Sequence, residues 1–565
     1  MAVRHYLLRA GLMVLVAGCG DGTSPDPGPP VAYIGVYPDN PLNTPVVVAG
    51  TTLQLLVSVG DSAGNPIPNP SVVWSSADPG KATVSATGLV TGVVPSTGTV
   101  TIRARVGGEE GTIGVLVVEP AASLVPVPAS IGIVPGGQTD VITGFRNAAG
   151  EPLEPFGRTV TWASSNPAVA PFSYGGITPG APRGTVIGLA EGSATITVTA
   201  PNASASIPVD VSVLTFTSLA RAYRTTCGVA TTGRAYCWGS NIANLLGNPL
   251  VSGSATPIRV EEVGSFSAIS PGAGETCGIS SDGTAYCWGN NDFGQLGNGS
   301  THVGNGVSTP TPVAGGLHFS ALASAEGSVC GLTTGGQAYC WGYGGDGELG
   351  NGGTASSSVP VAVSGGLSLT SISLFSRHAC GLTSDGSAYC WGNNIDGELG
   401  DNSVANRTAP VAVAGGHSFT SISTGIRHTC GIVGTQAYCW GDNSFGQSGT
   451  ASASELVPAP VVGGLQLSSV SAGYTHSCGL TPAGAAYCWG LNDVGQLGDG
   501  SNTDSTAPVP VSGGHGFASI HAGNRYTCGI TVEQVAYCWG ADDIDGATGT
   551  GVNGSTVPLK VIGQP

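Results

Sequence analysis

The sequence predicts an all-β chain of several domains, and three observations carry that expectation. Glycine (93) and proline (38) are abundant without a triplet period, which marks a turn-rich chain. Apolar residues make up 41% of the 565 residues, enough for packed cores, and one unit recurs seven times in the C-terminal part. A chain of this length is expected to hold two to four domains. Charged residues are only 9%, lysine occurs just at Lys81 and Lys560, and the formal net charge is -17. Such a surface repels phosphate backbones, which argues against a nucleic-acid partner.

The first 18 residues read as an export signal. Arg4 and Arg9 precede a short apolar run, "AGLMVLVAG", too brief to stay in a bilayer as a spanning helix. It ends in Val16-Ala17-Gly18-Cys19, which resembles the lipobox of bacterial lipoproteins. That resemblance implies that Cys19 becomes the lipidated first residue of the mature chain. Gly20 follows, so the aspartate associated with inner-membrane retention is absent at that place, and the expected location is the outer membrane or cell surface. Residues 19–31 contain "GDGTSPDPGPP", a semi-extended tether reaching roughly 30 Å.

Two modules are expected before the repeats, over 32–118 and 119–213. Apolar alternation in "TLQLLVSV" and "TVTIRARV", punctuated by Gly, Pro and Asn, predicts short antiparallel strands. Each module places one tryptophan, Trp74 or Trp162, beside a Ser-Ser pair and an Asp-Pro or Asn-Pro turn. These stretches resemble bacterial immunoglobulin-like domains of group 2, which implies two β-sandwiches. The second departs from the pattern after Val169, where "APFSYGGITPGAPRG" replaces a compact hairpin. "GDSAG", Gly60 to Gly64, satisfies the G-x-S-x-G pattern of a hydrolase nucleophile. That chemistry needs a helix directly afterwards, and Pro66, Pro68 and Pro70 forbid one, so the motif reads as a loop.

The repeated unit carries two cysteines. The first of each pair falls at Cys227, Cys277, Cys330, Cys380, Cys430, Cys478 and Cys528, and the second at Cys237, Cys287, Cys340, Cys390, Cys439, Cys488 and Cys538. With Cys19 these account for all 15 cysteines. Each pair flanks a turn, so each unit contains a hairpin. With Cys277 opposite Cys287, the connection is Ser281-Asp282-Gly283, with glycine where φ must be positive. The fifth unit is one residue shorter, and there the facing pair leaves the two-residue loop Gly434-Thr435. Opposed residues on antiparallel strands lie within disulfide reach, so seven cross-strand disulfides are expected, each worth somewhat under about 3 kcal/mol. Export supplies the oxidising compartment they need. Metal ligation by Cys-x9-Cys is the rival reading, and it lacks the close-spaced pairs of structural zinc sites. The seventh unit, "TVEQ", lacks the turn glycine. Tyr and Trp flank every second cysteine and are expected to fill the space between adjacent sheets, which employs all tryptophans other than Trp74 and Trp162.

The signature running from His476 to Gly500 resembles the repeat of the regulator-of-chromosome-condensation family, over about 214–565. The resemblance implies a seven-bladed β-propeller. Because the first unit opens abruptly at "LTFTSL" and the chain ends in "STVPLKVIG", the C-terminal strand is expected to complete the first blade and close the circle. Members of the family include exchange factors for a Ran-type GTPase, chromatin binders and secreted enzyme inhibitors. An acidic, exported, disulfide-bonded chain does not suit a nuclear role. The expected function is that of a lipid-anchored envelope protein, a monomer, binding a protein or glycan at one propeller face. Inhibition of an extracellular enzyme and action on polysaccharides are the alternatives.

No catalytic residue, cofactor or metal is expected. Asp292, Asp346, Asp396, Asp493 and Asp543 lie in the loops after Trp-Gly, where turn chemistry explains them. Calcium binding there lacks a full ligand loop with a closing glutamate. His378, His428 and His476 each stand two residues before a cysteine, in the place the repeat assigns them.

Overall fold

The computed structural model describes residues 30–39, 45–155, 158–178, 181–249, 251–260, 263–542 and 546–564; the export signal, Cys19 and nearly all of the tether lie outside them. Among the described residues the chain is built of strands and one short 3-10 turn, Ile242–Asn244, and no helix is long and apolar enough to cross a membrane. The chain divides into two compact units, one containing the first module and the other the second module together with the repeats.

The first module is a sandwich of two four-stranded sheets. One orders Val31–Pro38, Thr52–Asp61, Leu89–Gly92 and Ala82–Val84, and the other Val46–Val48, Glu109–Val118, Val100–Val106 and Val73–Ser76. Alternation in "VTIRARV" puts Val100, Ile102, Ala104 and Val106 inward, and Ile102 meets Leu55 and Val90 of the facing sheet in one core. The "GDSAG" stretch runs from a strand into a turn, with Asp61 Oδ1 accepting the Ala63 and Asn65 amides at 2.9 Å. No helix follows, so Ser62 sits in an Asx-type loop and not on a nucleophile elbow.

The second module repeats this plan, including a short strand, Ile131–Ile133, pairing in parallel with Ala203–Val211 as Val46–Val48 does with Glu109–Val118. The divergent stretch after Val169 forms an added hairpin, Phe172–Thr178 with Ala181–Ile187, where the first module has the short pair Ala82–Val84 and Leu89–Gly92. Trp162 stacks on Phe172 at 4.7 Å and 14°, so the insertion gives that tryptophan its partner.

Residues 216–560 form seven four-stranded antiparallel sheets, each contiguous in sequence. In the second, Phe266–Pro271 pairs with Glu275–Ser280, then Ala285–Asn291, then His302–Pro312. Every cysteine pair is directly opposed on the two middle strands and disulfide-bonded, with Cα atoms 4.0 to 4.1 Å apart. The turns follow from their sequences. Gly283 has φ +87°, Gly434 φ +62°, and in the seventh unit Gln534 takes φ +65° in place of glycine. Gln534 keeps that strained conformation while its carbonyl accepts the Phe216 amide at 3.1 Å.

One expectation is corrected. The C-terminal strand, Ser555–Lys560, pairs with Ala536–Gly540 and completes the seventh sheet, while the first sheet has its own outer strand, Gly253–Arg259. Each outer strand folds back on the strand just before it in sequence, a local pairing with a small loop-closure cost, so none is left to reach the far end of the chain. The seventh sheet meets the first through side chains and backbone bonds. Phe216, Trp238, Tyr526, Cys538, Ala547 and Val561 share one core cluster, and the Leu214 amide donates to the Gly563 carbonyl at 2.8 Å. Val134 of the second sandwich enters the same cluster, so that module packs on the seam between the first and last sheets.

Successive sheets interlock through tryptophan and glycine. All seven repeat tryptophans are fully buried. Trp341 Nε1 donates to the Gln295 carbonyl of the preceding sheet's loop at 3.0 Å, and Trp391, Trp440 and Trp539 donate likewise to Glu348, Glu398 and Gln496 at 2.9 to 3.0 Å. Two residues after each of these carbonyls comes a glycine in the left-handed region. A Cβ on Gly400 (φ +67°) would fall 2.7 Å from Trp440 Nε1, and one on Gly549 would fall 2.6 Å from Trp238 Nε1, between the last sheet and the first. Gly416 shares the backbone conformation (φ +63°) but faces open space. Alanine at 416 is therefore expected to cost about 1 kcal/mol from backbone strain alone. Alanine at 400 is expected to cost about 2 kcal/mol more, because the indole must move. Chemical denaturation of the two variants measures the difference.

Candidate functional site

The loops joining the first and second strands of each sheet, and those joining the third and fourth, emerge on one face. The first set surrounds the axis; the second forms a wider ring. At the axis stand Arg221, Tyr223, Phe375 and Tyr474, with Tyr223 44% exposed and 6.4 Å from Tyr474 in an edge-on pair. In the wider ring Phe293, Ile395 and Phe445 are 45%, 55% and 44% exposed, and Phe293 leans on Tyr343 at 5.1 Å. Among the described residues the propeller's cations concentrate here. Arg224 lies over Tyr223 and Arg377 over Tyr343, while Arg427 and Arg525 occupy the equivalent repeat position. Tyrosine, phenylalanine and arginine together make the composition that dominates binding energy at protein interfaces.

The loop aspartates have a structural use. Asp346 Oδ2 pairs with Arg377 Nη1 of the next sheet at 2.9 Å, Asp396 with Arg427 at 3.5 Å, and Asp493 with Arg525 at 2.5 Å. Each pair ties the outer loop of one sheet to the inner loop of its neighbour, and as partly exposed pairs each contributes at most about 1 kcal/mol. Asp292 accepts from Asn290 Nδ2 at 3.0 Å, and Asp543 lies outside the described residues. Among the described residues no group of three or more His, Cys, Asp or Glu side chains is placed to hold a metal ion.

The histidines link sheets. His378 Nε2 lies 2.8 Å from Thr429 Oγ1, His428 Nε2 2.8 Å from Ser477 Oγ, and His476 Nε2 2.8 Å from Thr527 Oγ1. Each hydroxyl already donates to a carbonyl, of Glu398, Gln447 or Gln496. The imidazole must therefore be the donor through Nε2–H, which leaves Nδ1 unprotonated and buried without a partner. Burial accordingly holds the three rings down to about 3, 4 and 3. Between the seventh and first sheets Tyr526 takes the same place, its hydroxyl 3.1 Å from Thr226 Oγ1.

Two buried carboxyls were not singled out from the sequence. Glu348 and Glu398 sit where the second, fifth and sixth sheets carry Gln295, Gln447 and Gln496, each side chain accepting a backbone amide two residues before it. Burial pushes both carboxyls up to about 7 from an ordinary 4.5, with Asp346 and Asp396 adding repulsion. The folded state thus binds more protons than the unfolded between pH 4.5 and 7, and the stability these groups contribute is lost as pH rises through 7. The histidines act oppositely, contributing stability above 6.5 that is lost as pH falls towards 3 to 4. Glu348→Gln with Glu398→Gln is expected to leave the urea midpoint at pH 5 almost unchanged. At pH 8 it should raise stability by on the order of 2 kcal/mol per carboxyl.

Comparison with known proteins bears on fold and family. A family model for the regulator of chromosome condensation (RCC1) repeat matches residues 282–330, 335–382, 385–432 and 483–530, and a second model of the same description matches 267–295, 370–398, 419–447 and 467–496. The model for the bacterial Ig-like domain (group 2) matches 40–115 and 138–210. No curated protein matches the chain. Among solved structures, human WBSCR16 is 21% identical, with 58% of this chain and 94% of that chain covered and a TM-score of 0.53. Yeast RCC1 (Prp20), crystallised with Kap60, is 20% identical, covering 62% of this chain and 85% of that one at 0.53. Prp20p from Saccharomyces cerevisiae, in a structure described with its binding to Gsp1p and histones, is 21% identical, covering 62% and 87% at 0.52. These likenesses establish the propeller fold.

Proposed function

From a chain that carries regulator-of-chromosome-condensation repeats behind two bacterial Ig-like domains, we propose an envelope protein that binds a protein partner through the loop face of its propeller. The observation that carries this reading is the concentration of arginine and exposed aromatic and aliphatic side chains on that face, in a chain with so few charges elsewhere. The propellers of similar fold are described with protein partners, Kap60, Gsp1p and histones, which supports a binding role for the scaffold. Lipidation at Cys19, a tether over 19–31 and sandwich modules over 32–118 and 119–213 would hold the propeller, 214–565, away from the membrane. Seven disulfides and bacterial Ig-like domains fit an exported protein. Inhibition of an extracellular enzyme is the same reading with the partner specified; glycan recognition is the second reading, favoured by the exposed aromatic rings alone.

The test is capture of partners from envelope extracts by the full chain, with Phe293→Asp and Phe445→Asp on the loop face and Val532→Asp on the opposite, hairpin face. The loop-face changes are expected to reduce capture at least about tenfold and the hairpin-face change to leave it intact. Equal capture by all three would remove the proposal. Cys19→Ser is expected to move the protein from the membrane fraction to the soluble fraction.

A further inference from the structure

We propose that the axial cup on the loop face is a receptor for a single carboxylate of a polypeptide, a side chain or a chain terminus, gripped by Arg221 and Ser324. The proposal rests on the reading of this face as protein-binding and names what the partner inserts.

The repeat itself isolates these residues. At the end of each innermost strand one position recurs around the axis: Arg221, Pro271, Ser324, Leu374, Thr424, Ala472 and Ala522. The next position is small in six sheets, Ala222, Gly272, Ala325, Gly425, Gly473 and Gly523, and only in the fourth is it large, at Phe375. What the fold requires recurs seven times; Arg221 and Phe375 do not recur. They are nonetheless built against each other, the guanidinium lying over the Phe375 ring at 5.0 Å and Nη2 donating to the Ala472 carbonyl at 3.2 Å.

Arg221 is a half-buried cation that makes no ion pair among the described residues. Its Nε–H is buried and meets no acceptor among them, and Tyr526, His476 and His521 beside it carry no negative charge at neutral pH. Burial alone draws the guanidinium down to about 10. Ser324, 7% exposed, lines the same cup and its hydroxyl is also unpartnered. A shielded guanidinium and a shielded hydroxyl are costly unless something accepts from both, and a carboxylate does so with charge-assisted geometry. Glu326 lines the same cup without pairing with Arg221, and its carboxylate accepts from Ser376 Oγ at 3.4 Å. The cup offers about 20 Å³, so only a small tip such as a carboxylate enters while the rest of the ligand stays outside; the choice of a polypeptide follows from the protein-binding reading of this face. The Tyr223 and Tyr474 rings form its lips.

The experiment is thermal unfolding of the full chain titrated with acetate against chloride at matched ionic strength, in wild type, Arg221→Met and Ser324→Ala. Acetate is expected to raise the melting temperature of wild type, to lose that effect in Arg221→Met, and to bind about tenfold more weakly to Ser324→Ala. An equal acetate response in wild type and Arg221→Met, or none in wild type, overturns the proposal. If Arg221→Met fails to fold by near-UV circular dichroism, Ser324→Ala decides, and an unchanged response there overturns it. An N-acetylated tripeptide with a free C-terminus and an amidated tripeptide with one glutamate side chain separate the two carboxylate sources, either one binding more tightly than acetate supporting the proposal. Galacturonate binding more tightly than both overturns it. A partner captured equally by wild type and Arg221→Met also overturns it while leaving the protein-binding face standing.

Discussion

The propeller depends on one contact made between neighbouring sheets: an indole from one seated on a left-handed glycine of the sheet before it, with five of the seven indoles, Trp288, Trp341, Trp391, Trp440 and Trp539, also donating N–H to the carbonyl two residues upstream of that glycine. This contact explains why Trp-Gly and Gly-x-Leu-Gly, or its variants, stand at nearly fixed spacing in every unit. The glycine is needed twice over. Its φ is positive, and its missing Cβ is where the indole edge lies, 2.5 to 2.8 Å from the Cβ that alanine would add at Gly297, Gly350, Gly400, Gly449, Gly498 and Gly549. The disulfide acts within a sheet, holding the two middle strands in register so that the tryptophan following the second cysteine always arrives at the same height.

A second set of contacts lies nearer the axis. Ser270, Ser373, Ser423 and Ser471 hydroxyls accept backbone amides of Ser324, Thr424, Ala472 and Ala522 on the following sheet. Between the first and second sheets the serine is replaced by Ala220, and the residue that would have donated is Pro271, which has no N–H. The pairing of a missing acceptor with a missing donor keeps that junction free of an orphaned amide. The junctions also differ in their outer bonds: His378, His428, His476 and Tyr526 reach hydroxyls on the next sheet, whereas in the second and third sheets the repeat puts Glu275 and Ser328 in that place and Val329 and Ala379, which have no hydroxyl, at the matching position of the sheet that follows. Glu275 is fully buried, and desolvation pushes its carboxyl well above the usual carboxylate range, at the position where three other sheets carry histidine.

Much of this was legible in the sequence, and the parts that were not share a cause. The hairpins, opposed cysteines and turn glycines could be read because they depend on residues within about eleven positions of one another, where loop length and turn chemistry leave few choices. The fifth unit made the inference firm, since its deletion shortens the turn and keeps Cys430 opposite Cys439. The assignment of the last strand failed because it asked which sheet a strand joins, and a repeat can be cut into units at more than one phase. Cutting the unit before its outer strand assigns "STVPLKVIG" to the first sheet; cutting after it assigns the strand to the seventh, where it pairs. The Arg–Asp pairs were missed for a related reason. Asp346 and Arg377, or Asp396 and Arg427, stand 31 positions apart in different units, so reading each loop alone yields only turn residues. The added hairpin after Val169 was visible as a departure, while its role as the partner of Trp162 needed the third dimension.

The same logic separates scaffold from function. In a sevenfold repeat the fold's requirements are stated seven times, so a residue present once is not paid for by the architecture, and a costly residue present once needs another reason. Arg221 is such a residue: long, charged, half-buried, and set where the other six sheets place proline, alanine, leucine or a small hydroxyl. Phe375 and the unpartnered Ser324 hydroxyl beside it extend the exception into three dimensions. Around them the scaffold is held rigid by seven disulfides, seven buried indoles and backbone bonds between sheets, so little conformational freedom remains to be lost when a partner docks. Rigidity of this kind favours a site that is preformed and narrow over one that moulds itself to its ligand, and a single cation fixed at the axis is the simplest way such a wheel could distinguish one partner from another.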